Sequence, residues 1–273
     1  MKQKLSVFLL FLLWAMPLFA AVQVDTVVVR ASRMNREVKN VIILPADYNE
    51  SALYPVIYLL HGYGGDYSSW LKIKPDLPQL ATEKQVIFVC PDGLSSWYWD
   101  SPVNKDMQFE TYVSKDLVGY MDAHYRTVAD RSGRAIAGLS MGGHGALWLS
   151  IRHRDTFGAA GSMSGGVDIR PFPEKWKMSV QLGEKNKNPE VWEKHTVINL
   201  VPTLKNGDLA MIIDCGYDDF FFKVNNNMHN ELLNRGIMHD FIVRPGGHTS
   251  KYWNNSIDYQ IVFFKKYFEN ARK

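Results

Sequence analysis

A serine stands between glycines in Gly138-Leu139-Ser140-Met141-Gly142-Gly143, where the apolar run RAIA gives way to GGHGALWLSIRH. A hydroxyl on a sharp strand-to-helix turn is presented to a substrate carbonyl, and glycines tolerate the crowding that such a turn imposes. The first turn of the following helix aims its free amides at an oxygen that becomes negative during acyl transfer. An ordinary glycine-rich turn can carry the same letters, but the run before it and the helical pattern after it favour a nucleophile.

A serine hydroxyl is a weak nucleophile near neutral pH, so it needs a base within hydrogen-bond reach and a third group to hold that base. In the chain order nucleophile, acid, base, three of the eight histidines, His229, His239 and His248, lie late enough. His229 falls in a predicted helix and His239 opens a predicted strand. His248 sits in PGGHTSKYW, after the last predicted strand, and is the expected base. The acid belongs on the loop before it, where IIDCGYDDF offers Asp214, Asp218 and Asp219. Asp214 is still inside the apolar run. Between Asp218 and Asp219 the residues alone leave the choice open, since one can face the histidine while the other caps the next helix. LLHGYGG supplies the second oxyanion donor: the amide of Tyr63, paired with that of Met141, with His61 and Gly62 shaping the turn rather than reacting.

These residues need a scaffold that brings distant loops together. VDTVVVRASR and REVKNVIILPADY alternate apolar and polar residues, the pattern of an antiparallel edge hairpin. PVIYLLHG, QVIFVCPDG, RAIAGLS, AAGSMSGG, LAMIIDCG and HDFIVRPGGH are short apolar runs suited to strands buried on both faces. Helical patterns occupy Phe109 to Tyr125, Gly142 to His153, Asn225 to Arg235 and Ile257 to Asn270. The alternation predicts an α/β fold, with a mainly parallel central sheet, helices on both faces and an N-terminal antiparallel hairpin. One connection, Gly166 to Asp208, is too long for a simple crossover and reads as a cap-like insertion over the site.

The composition narrows the setting. The chain has 273 residues, and 46% of them are apolar, enough for one large core. A net charge of +3, from 31 basic and 28 acidic residues, argues against a nucleic-acid partner. Lys2 and Lys4, the apolar run Leu5 to Phe19 and the pair Ala20-Ala21 read as a signal peptide over residues 1–21. The run is short of the roughly 20 residues a spanning helix needs, so the expectation is export to the periplasm or the extracellular space with no stable membrane anchor. Residues 22–273 then form one domain. Cys90 and Cys215 end strands expected to lie far apart in the sheet and read as free and buried. No H-E-x-x-H occurs among the histidines, and neither metal nor cofactor is expected.

Taken together, YLLHGYGG, PDGLSSWYWDSP, AGLSMGGHGAL, CGYDDF and GGHTSKYW resemble the esterase D family, in its order and at similar spacing over nearly the whole mature chain. That family includes S-formylglutathione hydrolases, tributyrin-type esterases, feruloyl and acetyl xylan esterases, and mycolyltransferases. The resemblance implies the α/β-hydrolase fold and an acyl-enzyme mechanism. It implies Ser140, Asp219 and His248 as the triad, Asp219 matching the second acid of the family's G-x-[ED]-D-F pattern, and the amides of Tyr63 and Met141 as oxyanion donors. The stretch His248-Thr249-Ser250-Lys251-Tyr252-Trp253 departs from the family's usual His-Asp or His-Ser before Trp, which bears on the pocket wall and not on the triad.

Substrate selectivity belongs to the walls. Trp97, Tyr98 and Trp99 follow a predicted strand at the end of the sheet where open α/β folds bind ligands, and Trp253 follows His248. Aromatic faces suit sugar rings or phenolic acids; packing into the core is the competing reading of Trp97 to Trp99. Trp176 and Trp192 in the insertion carry the same two readings, and Lys251, Tyr252, Asn254 and Asn255 could hydrogen-bond a carbohydrate. The expected substrate is a small-molecule or glycan ester, with a short acyl or hydroxycinnamoyl group. An S-formylglutathione thioesterase and an acyltransferase using the same triad are the alternatives, and a noncatalytic carbohydrate-binding descendant fits an intact triad poorly.

Overall fold

The short apolar runs become strands in a computed structural model that describes residues 23–271; the expected signal peptide lies outside the described residues. The strands are β1 (Gln23–Ala31), β2 (Arg36–Leu44), β3 (Val56–Leu60), β4 (Ile87–Pro91), β5 (Arg134–Leu139), β6 (Ala159–Met163), β7 (Ala210–Gly216) and β8 (Asp240–Arg244). They form one sheet in the order β1-β2-β4-β3-β5-β6-β7-β8. The β1–β2 hairpin pairs antiparallel and joins β4 antiparallel, while β4, β3 and β5 to β8 run parallel. The chain reverses its direction of winding between β3 and β5. In open α/β sheets that crevice, at the carboxyl ends of the strands, is where ligands bind.

The helices are α1 (Ser69–Ile73), α2 (Leu77–Lys84), α3 (Phe109–Thr111), α4 (Val118–His124), α5 (Met141–Arg152), α6 (Met178–Leu182), α7 (Pro189–Lys194), α8 (Phe222–Asn234) and α9 (Ser250–Ala271). Alternation along the strands feeds two cores. In β3, Val56, Tyr58 and Leu60 pack on the side of α5 and α8, and Ile57 and Leu59 on the side of α2 and α9. On α9, Ile257, Ile261, Phe264 and Phe268 follow helical spacing and close the second face. Cys90 and Cys215 are free and buried, on β4 and β7 with three strands between them. No helix among the described residues is long and apolar enough to cross a membrane.

Several elements differ from the sequence-based expectation. The helix expected from Phe109 to Tyr125 is interrupted by a π-helical turn at Tyr112–Leu117. α1 and α2, between β3 and β4, were not expected from the pattern. β8 is only half buried, because it closes the open edge of the sheet rather than lying inside it. α9 begins at Ser250, so Lys251 to Asn255 sit on its first turns rather than in a loop. The insertion carries α6, α7 and a 3-10 turn at Val197–Thr203. Its Val167, Ile169, Met178, Leu182, Trp192 and Val201 join the same core as α5 and α8.

Under that insertion lie two groups whose titration is coupled to folding. Burial alone would raise the Glu110 carboxyl, but hydrogen bonds from His153 and Arg152, with a further one from the Trp148 indole, bring it down to about 2. Burial pushes the His144 imidazole down to about 3, so it is neutral in the folded protein. Both folded values lie below the ordinary ones of 4.5 and 6.5, so the unfolded chain binds more protons and stability is lost as pH falls. The His144 contribution should fade from pH 6.5 downward through about 3, and the Glu110 contribution from 4.5 through about 2. Thermal unfolding followed by circular dichroism across this range should show a midpoint that drops with acid. Glu110→Gln should lower the midpoint at neutral pH and flatten the descent below pH 4.5; a wild-type midpoint indifferent to pH would contradict this reading.

Candidate active site

Ser140 lies between β5 and α5 with φ +55°, ψ −116°, a backbone conformation that side chains other than glycine rarely take. Two neighbouring glycines make the turn possible. A β-carbon on Gly138 would fall 2.3 Å from the Gly142 carbonyl oxygen, and one on Gly142 the same distance from the Leu60 carbonyl oxygen. The strained serine is pinned by its amide, which donates to the Met163 carbonyl at 2.9 Å, and by its carbonyl, which accepts from the amides of His144 and Gly166.

Loops from the far side of the sheet bring up the other two groups. His248 Nε2 lies 2.9 Å from Ser140 Oγ, and Nδ1 lies 2.9 Å from Asp219 Oδ2. An ionised carboxylate only accepts, so Nδ1 carries the proton and Nε2 is free to accept from the serine hydroxyl. The Asp219 side chain is fully buried, and its other oxygen accepts from the Phe221 amide at 2.8 Å. Asp218 is exposed and turns towards the Gly246 amide instead, at 3.3 Å. Asp214 is buried within β7 against Arg244 and Tyr252, outside this hydrogen-bonded row.

Tyr63 follows β3 and Met141 opens α5, and β3 and β5 are paired neighbours with Leu60 opposite Gly138. The Met141 amide is among the first of its helix, which have no intrahelical acceptor. His61 is spent on structure, as expected: Nδ1 donates to the Gly62 carbonyl at 2.7 Å, and Nε2 accepts from the Gly93 amide at 2.8 Å. The excluded histidines His229 and His239 pair with each other, 2.8 Å apart. Among the described residues no three His, Cys, Asp or Glu side chains are grouped to hold a metal ion.

Ser140 and His248 open into a cleft of about 420 Å³ walled by Tyr63, Trp176, Phe220 and Trp253, with Ile73 and Leu139 beside them. Trp253 therefore borders this cleft. The expectation for Trp97, Tyr98 and Trp99 is corrected: all three are buried and none lines the cleft. Left-handed backbone at Trp97 (φ +57°) and Tyr98 (φ +60°) turns the rings inward. Trp97 stacks on Trp99 and meets His144 edge-on, and the Tyr98 hydroxyl donates to the His61 carbonyl at 3.2 Å. Tyr98 thus braces the loop after β3, while Trp97 and Trp99 pack around His144.

Other polar residues expected near the substrate are also engaged elsewhere. Tyr252 bonds Asp214, Asn254 donates to the Ile73 carbonyl and Asn255 accepts from Arg244. Trp192 is buried, with its indole donating to the Gly183 carbonyl at 2.9 Å. Of the insertion's tryptophans, Trp176 alone reaches the cleft, stacked on Phe220 with centroids 5.7 Å apart. Phe220, also in the cleft, lies outside the sequence-predicted site residues. Its signal was the aromatic pair Phe220-Phe221 directly after the acid, which places one ring 4.3 Å from the His248 imidazole.

The chain matches the Esterase family model over residues 31–264. Among curated relatives it is 36% identical over 235 residues to Esterase Rv1288 of Mycobacterium tuberculosis, covering 76% of this chain and 52% of that protein. This chain thus spans about half the length of that relative. It is 28% identical over 213 residues to an acetyl esterase of Caldicellulosiruptor saccharolyticus, covering 74% of this chain and 79% of the relative. A solved ferulic acid esterase superposes with a TM-score of 0.79 at 27% identity, covering 90% of this chain and 98% of that one.

Proposed function

The chain belongs to the Esterase family, and from that premise we propose that it hydrolyses carboxylic esters with Ser140 as nucleophile, His248 as base and Asp219 as the group that orients the base. The continuous row from Asp219 through His248 to Ser140, with both links at 2.9 Å, carries this reading. Ser140 Oγ adds to the ester carbonyl carbon as its proton passes to His248 Nε2. The amides of Tyr63 and Met141 bind the resulting oxyanion. Collapse expels the alcohol, which takes that proton. Water then adds to the acyl carbon as His248 takes its proton, and the bond from that carbon to Ser140 Oγ breaks as Oγ takes the proton back, releasing the acid.

We propose short acyl or hydroxycinnamoyl esters of carbohydrates as the substrates. The cleft is lined by Trp176, Phe220 and Trp253, and its volume lies at the lower end of small-ligand sites. The related acetyl esterase and ferulic acid esterase support the same direction. The basic and apolar start of the sequence supports export; recovery from periplasm or medium with a new N-terminus near residue 21 or 22 tests that half. The substrate half is tested by kcat/KM on acetylated xylan fragments, methyl ferulate and p-nitrophenyl esters from acetate to palmitate. Short and hydroxycinnamoyl esters should exceed palmitate. Trp176→Ala should cost methyl ferulate about three- to tenfold more than acetate, the worth of one aromatic contact. Palmitate as the best substrate, or ratios unmoved by Trp176→Ala, would sink this assignment of the cleft.

A further inference from the structure

Ser164 is buried immediately after β6 and takes φ +50°, a conformation that glycine adopts without strain. Glycines do follow it at 165 and 166, yet a serine occupies the strained position. Its amide donates to the Asp214 carbonyl at 2.8 Å, a bond glycine would make equally well. What glycine lacks is the hydroxyl, whose oxygen accepts from the Trp253 indole N–H at 3.2 Å. The same hydroxyl neighbours the Cys215 thiol, which is pushed up first by burial.

Trp253 is more than a wall of the cleft. Its ring stands nearly perpendicular to the His248 imidazole, centroids 4.9 Å apart, and Phe220 also packs on that imidazole. Hydrogen bonds at Nδ1 and Nε2 hold two points of the imidazole, which leaves tilt about the line through them to be limited by packing. Ring contacts restrict that tilt only if the rings are themselves fixed, and an indole with a single, half-buried donor is fixed in part by what accepts from it. Ser164, just past the end of β6, the strand between those leading to Ser140 and Asp219, supplies the acceptor.

We infer that Ser164 is a positioning residue of the proposed reaction, holding Trp253 so that Trp253 holds the His248 ring in line with Ser140. The inference rests on the proposed triad and is separable from it by experiment. Ser164→Gly removes the hydroxyl and relieves the backbone, so its melting temperature should equal or exceed that of the wild type. Ser164→Ala removes the hydroxyl and keeps the strain. Both should lose about tenfold in kcat on p-nitrophenyl acetate, less than the ~10²-fold that a 1 Å misplacement can cost. KM should stay within about twofold, because only the transition state requires the alignment. Labelling of Ser140 by a fluorophosphonate should slow by the same factor. Trp253→Phe, which keeps a ring and removes the donor, should match them, and Ser164→Gly/Trp253→Phe should be no slower than the more impaired single variant. If Ser164→Gly retains wild-type kcat and labelling rate, or if the two losses multiply, Ser164 has no such role and the triad stands. If the wild type itself is not labelled at Ser140, the triad falls and this inference falls with it.

Discussion

Ser140→Ala should abolish fluorophosphonate labelling and reduce ester hydrolysis by about 10⁴- to 10⁶-fold, leaving the residual rate that oxyanion donors and substrate binding supply without a nucleophile. The effect should be confined to kcat. The side-chain bond lost is the one to His248, while the backbone contacts of residue 140 to Met163, His144 and Gly166 persist with alanine in place. Alanine is no more strained than serine at this φ, so the melting temperature should be nearly unchanged. Intact-protein mass spectrometry after brief exposure to the probe should show one adduct on the wild type and none on the variant. An adduct on the alanine variant would move the nucleophile elsewhere.

The site is legible in the sequence to a different degree at each residue, for physical reasons. Ser140 and His248 were legible because strand, turn and helix signals are local, and the chain order of nucleophile, acid and base constrains the rest. Gly138 and Gly142 stand where a β-carbon would strike backbone, so their spacing records a steric fact. The choice between Asp218 and Asp219 was not legible from the residues themselves. It depends on a turn closed by the Asp219 amide on the Gly216 carbonyl and by the Asp218 amide on the Gly246 carbonyl, the latter contributed by a distant loop.

The aromatic walls were the least legible part. Trp97 and Tyr98 adopt left-handed backbone without a glycine to announce it, and both rings end buried. Trp176 also has positive φ, at +51°, and there the ring ends at the site. Of the aromatics that the sequence offers for the walls, Trp176 and Trp253 line the cleft, while Trp97, Tyr98 and Trp99 are buried. In the same way, the sheet was legible from its two-faced apolar runs, whereas α1, α2 and the early start of α9 were not.

Asp219→Asn should lower kcat by about 10⁴-fold, the scale expected when a base is held in the wrong tautomer. In this site the direction of the amide is decided by its surroundings. The Phe221 amide donates to Oδ1 of residue 219, so the asparagine carbonyl oxygen must stay on that side, which turns its NH₂ towards His248 Nδ1. A donor facing Nδ1 forces that nitrogen to accept and moves the ring proton to Nε2. The imidazole would then point an N–H at Ser140 Oγ and could no longer take its proton. The melting temperature should change little, because the asparagine satisfies both neighbours. Asp218→Asn should cost at most a few-fold, since that side chain is exposed and makes one long contact, at 3.3 Å, to the Gly246 amide. Asp214→Asn should act on stability instead, leaving Arg244 without its buried counter-charge while the row from Asp219 to Ser140 stays in place. Kinetics and thermal unfolding of the three variants separate the roles. A large loss of kcat in Asp218→Asn with near-normal turnover in Asp219→Asn would transfer the orienting role to Asp218 and overturn the tautomer argument.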